Sequence, residues 1–382
     1  MNNILKEKIA SAFLNTYNNT PLIIFSPGRI NLIGEHTDYN DGYVFPAAID
    51  KGIITAIAKS TTNYCSVYAY DKDEEYQFDL ESIAPLPDGG WKNYILGVIS
   101  GIQEKGIKLN PFNIVFGGDI PGGAGLSSSA ALENSVVFAL NELFQLDLSK
   151  KEMIIISQKA EHNYVGVKCG IMDQYASMFG LENNFLHLDC RTIDSKPYQI
   201  DLKGYELLLI NTNVKHNLSE SAYNNRRDVC EKVSSLLNKK ALRDVEEKEL
   251  LSLKDKISDE DYQKALYVIQ EIERTQKAGE AIKKGDIKKL GQLIYQSHAG
   301  LRHQYKVSCN ELDFLVEKAK ESNVIIGSRM MGGGFGGCTI NLIEKDEIEK
   351  FSSEITTAYS KKFNNECSIY QVKLSNGTHI VI

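Results

Sequence analysis

Arg29, Glu35, His36 and Asp38 fall within ten positions of GRINLIGEHTDYNDG (28–42). An exposed loop has no need of such side chains so close together, and a core strand could not bury them cheaply. One chemistry that fits is recognition of a neutral hydroxylated ligand. Glu35, His36 and Asp38 would supply rigid acceptors and donors, and Arg29 would offset charge on a phosphoryl group in transfer. The alternative is an internal salt-bridge cluster of Arg29 with Glu35 or Asp38. Spacing alone does not separate the two.

Pro121-Gly122-Gly123-Ala124-Gly125-Leu126-Ser127-Ser128-Ser129 lies between a strand-like and a helix-like segment. Amides at a helix start are unsatisfied and partly positive, so the segment suits an anion. Glycines let backbone approach a phosphate, and a serine can cap the helix or reach Mg²⁺. A capped helix after a tight turn is the plainer alternative. No GK[ST] follows, so this is not a Walker A loop, and the third glycine of a Rossmann fingerprint is missing. The second glycine run, Gly332-Gly333-Gly334-Phe335-Gly336-Gly337, precedes strand-like CTINLI where a dinucleotide motif needs a helix. It reads as a loop closing on a phosphate or as a tight hairpin.

Two further carboxylates stand out. Glu161 falls on the polar side of a helical segment whose Ile154, Ile155 and Ile156 turn inward, and alone it reads as a surface glutamate. Asp173 sits between Met172 and Gln174 in an apolar turn, as a helix cap or a functional group.

The elements that must carry these residues follow from periodicity. Helices are expected over 4–17, 91–106, 127–144, 149–166, 169–180, 310–321 and 346–363, and through most of the charged stretch 220–297. Strands are expected over 22–25 (ended by Pro27-Gly28), 51–61, 64–70, 112–120, 185–190 and 205–214, with VIIGSRMM extended. The boundary between two domains is placed at 205/206, giving 1–205 and 206–382.

Composition narrows the function classes. The chain has 382 residues, 43 basic and 50 acidic, for a net charge of −7. That disfavours nucleic acid or an anionic membrane as partner. Seven scattered cysteines without a CxxC pair predict reduced thiols and no zinc site. The N-terminus lacks a signal-peptide h-region and no stretch is apolar enough to span a bilayer, so a cytoplasmic location is expected.

Three stretches resemble the galactokinases of the GHMP small-molecule kinase family: SPGRINLIGEHTDYNDGYVFPAAI (26–49), PGGAGLSSSAALE (121–133) and GSRMMGGGFGGCTI (327–340). KAEHNYVGVKCGIMDQYAS (159–177) and SHAGLRHQYKVSCNELD (297–313) extend the likeness over most of the chain. The resemblance implies an α+β two-domain GHMP kinase fold. Its N-terminal domain would be like domain 2 of ribosomal protein S5 and its C-terminal domain ferredoxin-like, with the active site between them. It implies phosphorylation of galactose at C1 by ATP with Mg²⁺, the first step of galactose catabolism, by a monomer. Asp173 would be the base and Arg29 would stabilise the transition state and hold Asp173 ionised. Glu35, His36, Thr37, Asp38, Gly170, Asp173 and Tyr223 would contact the sugar. Gly123, Ala124, Gly125, Leu126, Ser127, Ser128 and Ser129 would wrap the ATP phosphates, and Ser129 and Glu161 would hold Mg²⁺. Trp91 and Tyr94 match a segment near the adenine. His303 and Met331 depart from common family choices, His303 at a position that bears on C-terminal packing. Another GHMP sugar kinase, for N-acetylgalactosamine or a uronic acid, is an alternative. So is a galactose sensor without turnover, although such relatives have lost part of the stretch that is intact here as Ser127–Ala130.

Overall fold

The computed structural model describes residues 1–215 and 219–381. Its strands are β1 (Leu22–Asn31), β2 (Tyr43–Val44), β3 (Pro46–Lys59), β4 (Cys65–Ala69), β5 (Glu74–Phe78), β6 (Phe112–Gly118), β7 (Phe185–Asp189), β8 (Asp194–Tyr198), β9 (Tyr205–Lys215), β10 (Ile325–Met330), β11 (Gly336–Glu344), β12 (Ser368–Gln371) and β13 (His379–Ile380). Its helices are α1 (Asn3–Tyr17), α2 (Trp91–Gln103), α3 (Ser128–Phe144), α4 (Lys150–Ala160), α5 (Met172–Phe179), α6 (Ser219–Leu236), α7 (Glu247–Leu251), α8 (Asp259–Lys283), α9 (Ile287–His303), α10 (Asn310–Glu321) and α11 (Ile348–Phe363).

β1 does not stop at Pro27-Gly28 as expected. It passes through them with a register shift between Pro27 and Arg29 against β3, the kind of irregularity at which a strand tolerates proline. The strand therefore delivers Arg29 and Asn31 from within a sheet rather than from a loop. The first sheet has the order β13-β1-β3-β6-β4-β5, with β4 and β6 parallel and the other pairs antiparallel. Alternation along its strands supplies two cores. Ile24, Ile57 and Ile114 face α2, α3 and α4, while Phe25, Ile54 and Val115 cover Ile9 and Phe13 of α1.

The second sheet, β10-β11-β9-β12, is antiparallel. One face packs on α10 and α11 through Leu208, Ile210, Leu315 and Ile355. The other, with Leu207, Leu209, Ile340 and Leu342, shares a core with Ile30, Leu32 and Ile33 of the signature segment. That shared core holds the two halves together where the chemistry-bearing residues emerge. β13 pairs with β1, so residues 379–380 return to the first sheet although they follow the expected boundary. β2, β7 and β8 form a third small sheet.

Candidate active site

A cavity of about 210 Å³ opens between the halves. Arg29, Glu35, His36 and Asp38 line it from the signature, Ser129 from the start of α3, Glu161 from the turn that follows α4, and Asp173 from the first turn of α5. The second half contributes Tyr223 of α6 and the amide-rich turn Gly332-Gly333. Residues up to 304 positions apart in sequence, Arg29 and Gly333, thus meet at one cavity.

At its centre Arg29 and Asp173 form a two-pronged ion pair. Nε lies 2.8 Å from Oδ1, and Nη2 lies 2.8 Å from Oδ2. Such a fork fixes both groups more tightly than one hydrogen bond would. Arg29 also binds the first glycine loop, with Nη1 donating to the Gly125 carbonyl and its backbone N–H to the Leu126 carbonyl. Ser127 donates its hydroxyl to Asp173 Oδ2. Burial opposes the charge on Arg29, but Asp173 and Glu35 outweigh it and push its pKa up. The salt-bridge alternative for Arg29 is therefore realised with Asp173, not with Glu35 or Asp38.

Glu35 pairs elsewhere. Its Oε2 lies 2.6 Å from Nη1 of Arg329, a side chain with no exposed surface. It also accepts from Asn31 Nδ2 at 3.1 Å and from the Gly332 amide at 3.0 Å. Arg329 donates further to the carbonyls of Leu32 and Asn31. Glu35 and Arg329 thus tie the second glycine run to the signature. Removing one partner of a buried pair of this kind costs about 3–5 kcal/mol, because the other charge stays buried alone.

Asp38 is pushed up to about 7 by burial and then by the negative charge of Asp173. A Cβ at Gly170 would stand 2.0 Å from Asp38 Oδ2, so glycine there makes room for the carboxylate. Gly170 serves the site by this vacancy of side chain. Thr37, expected at the sugar, has its side chain placed in the turn. It is fully buried, does not line the cavity, and its hydroxyl faces the carbonyls of Gly34 (2.9 Å) and Tyr43 (2.8 Å), closing the turn. His36 holds a left-handed backbone (φ 64°) and directs Nδ1 to the Tyr39 hydroxyl at 2.8 Å.

The loop before α3 splits its roles. Ala124 and Leu126 bury their side chains in the shared core, so among these two only backbone remains for a ligand. Gly123, Gly125 and Ser127 take positive φ. Ser127 does not cap α3, because its hydroxyl is turned to Asp173. The first amides of α3 are left without a side-chain cap, next to exposed Gly122, Gly123 and Ser128. An anion suits that arrangement.

Glu161 is not a surface residue. It is buried, opens a π-helical turn (Glu161–Val165) and lines the cavity. Such turns re-aim side chains at functional sites. Ser129 and Glu161 offer a hydroxyl and a carboxylate, hard oxygen donors of the kind Mg²⁺ takes. Among the described residues no group of three His, Cys, Asp or Glu is arranged for a metal. The pair therefore fits an ion that draws its remaining ligands from phosphate and water.

α6 reaches across to position Tyr223. Asn224 accepts from the Lys168 amide and donates to the Gly166 carbonyl, each at 2.9 Å. Of the two aromatics expected near adenine, Tyr94 lines the cavity, whereas Trp91 is core, packed on Phe116 and donating Nε1–H to Glu74 at 2.8 Å. Met331 is buried, and its sulfur accepts the Asn31 amide at 3.3 Å. His303 is exposed in the last turn of α9, a favourable end for a basic group. Sequence reasoning missed Arg329, Tyr305 and Cys169, and the buried Glu133 within α3. An arginine between apolar Ile325-Ile326 and Met330-Met331 was a readable signal for Arg329; nothing local marks the others.

Family models match in three places: the galactokinase galactose-binding signature over residues 11–59, the GHMP kinases N terminal domain over 93–181 and the GHMP kinases C terminal domain over 279–361. The galactokinase of Thermotoga neapolitana is 41% identical over 352 residues, 92% of this chain and 98% of the relative. That of Clostridium acetobutylicum is 39% identical over 383 residues, 98% of each chain. The crystal structure of Lactococcus lactis galactokinase complexed with galactose superposes with a TM-score of 0.93 at 33% identity, covering 97% of this chain and 98% of that one. Methanococcus jannaschii mevalonate kinase shares the fold, with a TM-score of 0.64 at 19% identity over 94% of this chain and 99% of its own. The two-domain GHMP kinase fold is thus the fold found, and the chain belongs to the galactokinase family of GHMP kinases.

Proposed function

We propose that the chain transfers the γ-phosphoryl group of ATP to the C1 hydroxyl of α-D-galactose, giving galactose 1-phosphate and ADP. The observation that carries this reading is the Arg29–Asp173 fork, which lies where the signature cavity meets the loop ahead of α3. Phosphoryl transfer asks for positioning and charge stabilisation more than covalent help. Asp173 accepts the proton of the C1 hydroxyl as its oxygen attacks phosphorus. Arg29 stabilises charge on the transferring group from a position shared with the Gly125 and Leu126 carbonyls. The α3 amides and Ser128 hold the β- and γ-phosphates. His36, Asp38 and Tyr223 fix the sugar, with Glu35 as support and Gly170 as the space that seats Asp38. Ser129 and Glu161 would hold Mg²⁺, which supplies charge neutralisation across the phosphates when bound.

We place this activity in a cytoplasmic monomer. All seven cysteines are free thiols, as a reducing compartment allows, and exposed apolar side chains such as Leu14, Leu181 and Leu251 sit on separate elements. Among the described residues no helix is long and apolar enough to cross a membrane.

A panel of sugars assayed for ADP release tests the reading. Galactose is expected to give the fastest release, with the phosphate at C1 by NMR. Preference for N-acetylgalactosamine or a uronic acid would move the chain to another sugar, and galactose binding without ADP release would make it a sensor.

A further inference from the structure

Behind the cavity runs a buried chain of hydrogen-bonding groups that crosses from one half of the molecule to the other. His36 Nδ1 lies 2.8 Å from Tyr39 Oη, Tyr39 Oη lies 2.7 Å from Tyr305 Oη, and Cys230 Sγ lies 3.5 Å from Tyr305 Oη. The far end is anchored: Arg226 donates Nε–H to the Tyr305 carbonyl at 2.9 Å and Nη2–H to that of Lys306 at 2.8 Å. Rings close around the imidazole, with centroids of Tyr305, Tyr223 and Tyr39 at 5.0, 5.3 and 5.9 Å. His36 lines the cavity; its Nε2 is buried, has no partner at full hydrogen-bond geometry among the described residues, and the Gly333 backbone is the group that draws on the ring.

Direction along such a chain is set by donor and acceptor strength. A neutral imidazole nitrogen is a stronger acceptor than a phenol oxygen, and a phenol is a stronger donor than an imidazole N–H. A thiol is weak in both roles. The best-matched sequence sends Cys230 S–H to Tyr305, Tyr305 O–H to Tyr39, and Tyr39 O–H to His36 Nδ1. The proton of the neutral ring then resides on Nε2, the nitrogen that Tyr39 does not hold. The reverse sequence spends a phenol proton on sulfur and an imidazole proton on a phenol oxygen. His36 stays neutral in the fold: burial and then the nearby Arg226 guanidinium hold it down to about 3, against a pull from the Gly333 backbone and with a further push from Arg329.

We propose that Tyr39 and Tyr305 are positioning residues that lock His36 as the Nε2–H tautomer, so that His36 only donates to the ligand and the cavity selects a sugar by an oxygen lone pair at that point. The selectivity clause rests on the sugar-kinase reading; the tautomer clause does not. An oxygen acceptor is discriminated at this point from a group that can only donate, and Tyr305, which does not line the cavity, shares in the selection through Tyr39.

Nitrogen-15 NMR of the imidazoles in the full-length protein, with Tyr39→Phe and Tyr305→Phe alongside, tests this. Each substitution removes a hydroxyl and keeps the ring. In the unsubstituted protein His36 is expected to show a protonated Nε2 and a bare Nδ1. Tyr39→Phe is expected to release that preference, and Tyr305→Phe to weaken it. KM for galactose should rise about tenfold in Tyr39→Phe, the scale of one lost hydrogen bond, while KM for ATP stays put. A proton on Nδ1 in the unsubstituted protein overturns the tautomer assignment. A KM for ATP that rises in step with that for galactose overturns the positioning role, since it would mark general loosening. If galactose is not phosphorylated at all, the functional reading fails while the NMR result still decides the tautomer. Should Tyr39→Phe not fold, Tyr305→Phe and the unsubstituted spectrum carry the test.

Discussion

The two ends of the cavity are built on opposite plans. At the sugar end, polar groups are held before any ligand arrives: Glu35 by Arg329, Asn31 and the Gly332 amide, and His36 by Tyr39. At the phosphate end the loop is exposed at Gly122, Gly123 and Ser128, and α3 begins without a side-chain cap. The difference follows from the ligands proposed. A neutral sugar offers only short-range, directional hydrogen bonds, so recognition needs side chains fixed to fractions of an ångström. A polyphosphate is drawn by amides and a helix dipole, which need only be left unsatisfied. Arg29 and Asp173 stand at the junction, and Ser127 gives up its place as a cap to bind there.

The largest expected effect tests the junction. Asp173→Asn is expected to lower turnover by a factor of about 10²–10⁴ or more while galactose still binds, since it removes the proton acceptor and keeps the shape. Single-turnover ADP release together with calorimetric sugar binding measures both. Near-normal turnover would take the base out of the mechanism.

Next in size is the buried pair of the sugar end. Arg329→Met is expected to destabilise the fold by about 3–5 kcal/mol in urea titrations. Adding Glu35→Gln should recover part of that loss, because it removes the stranded charge. Absence of any recovery would show that Arg329 acts through the Asn31 and Leu32 carbonyls instead.

The phosphate end should respond differently. Glu161→Ala is expected to raise the Mg²⁺ concentration for half-maximal rate by roughly tenfold or more, with galactose affinity unchanged. An unaltered Mg²⁺ titration would remove Glu161 from the metal site.

The smallest effect is a pH dependence confined to the sugar end. Asp38 titrates at about 7 in the fold and at its ordinary value of 3.8 when unfolded. A raised carboxyl binds its proton more tightly when folded, so its contribution to stability falls as pH rises from about 4 to about 7. Galactose affinity should change the other way, tightening as pH rises through about 7, because the ionised carboxylate is the better acceptor of sugar hydroxyls. Asp38→Asn is expected to flatten that profile and weaken galactose about tenfold, with ATP affinity kept. A pH-independent affinity in the unsubstituted protein would place Asp38 outside the sugar contact.

The sequence alone determined which elements form and which residue types are present for the chemistry. Helical periodicity marked α1, α2, α3 and α10 to within about three residues, and β-branched runs marked β3, β4 and β6. It missed β2, β5, β8, β12 and β13, which are two to five residues long; β2, β12 and β13 pair with distant segments, and β5 and β8 are short second strands of local hairpins. GEHTDYN, the PGGAG loop and CGIMDQ named most of the site. Tertiary structure alone decided what each of those residues does. Asp173 rather than Glu35 or Asp38 takes Arg29, Thr37 turns away to close its own turn, Glu161 is buried, and Arg329 and Tyr305 join the site from the second half. Periodicity and propensity are local and are written within a few residues of one another. The partner of a charge or a hydroxyl is set by which segments the shared core between the halves brings within about 3 Å, and that has no trace in the neighbouring sequence.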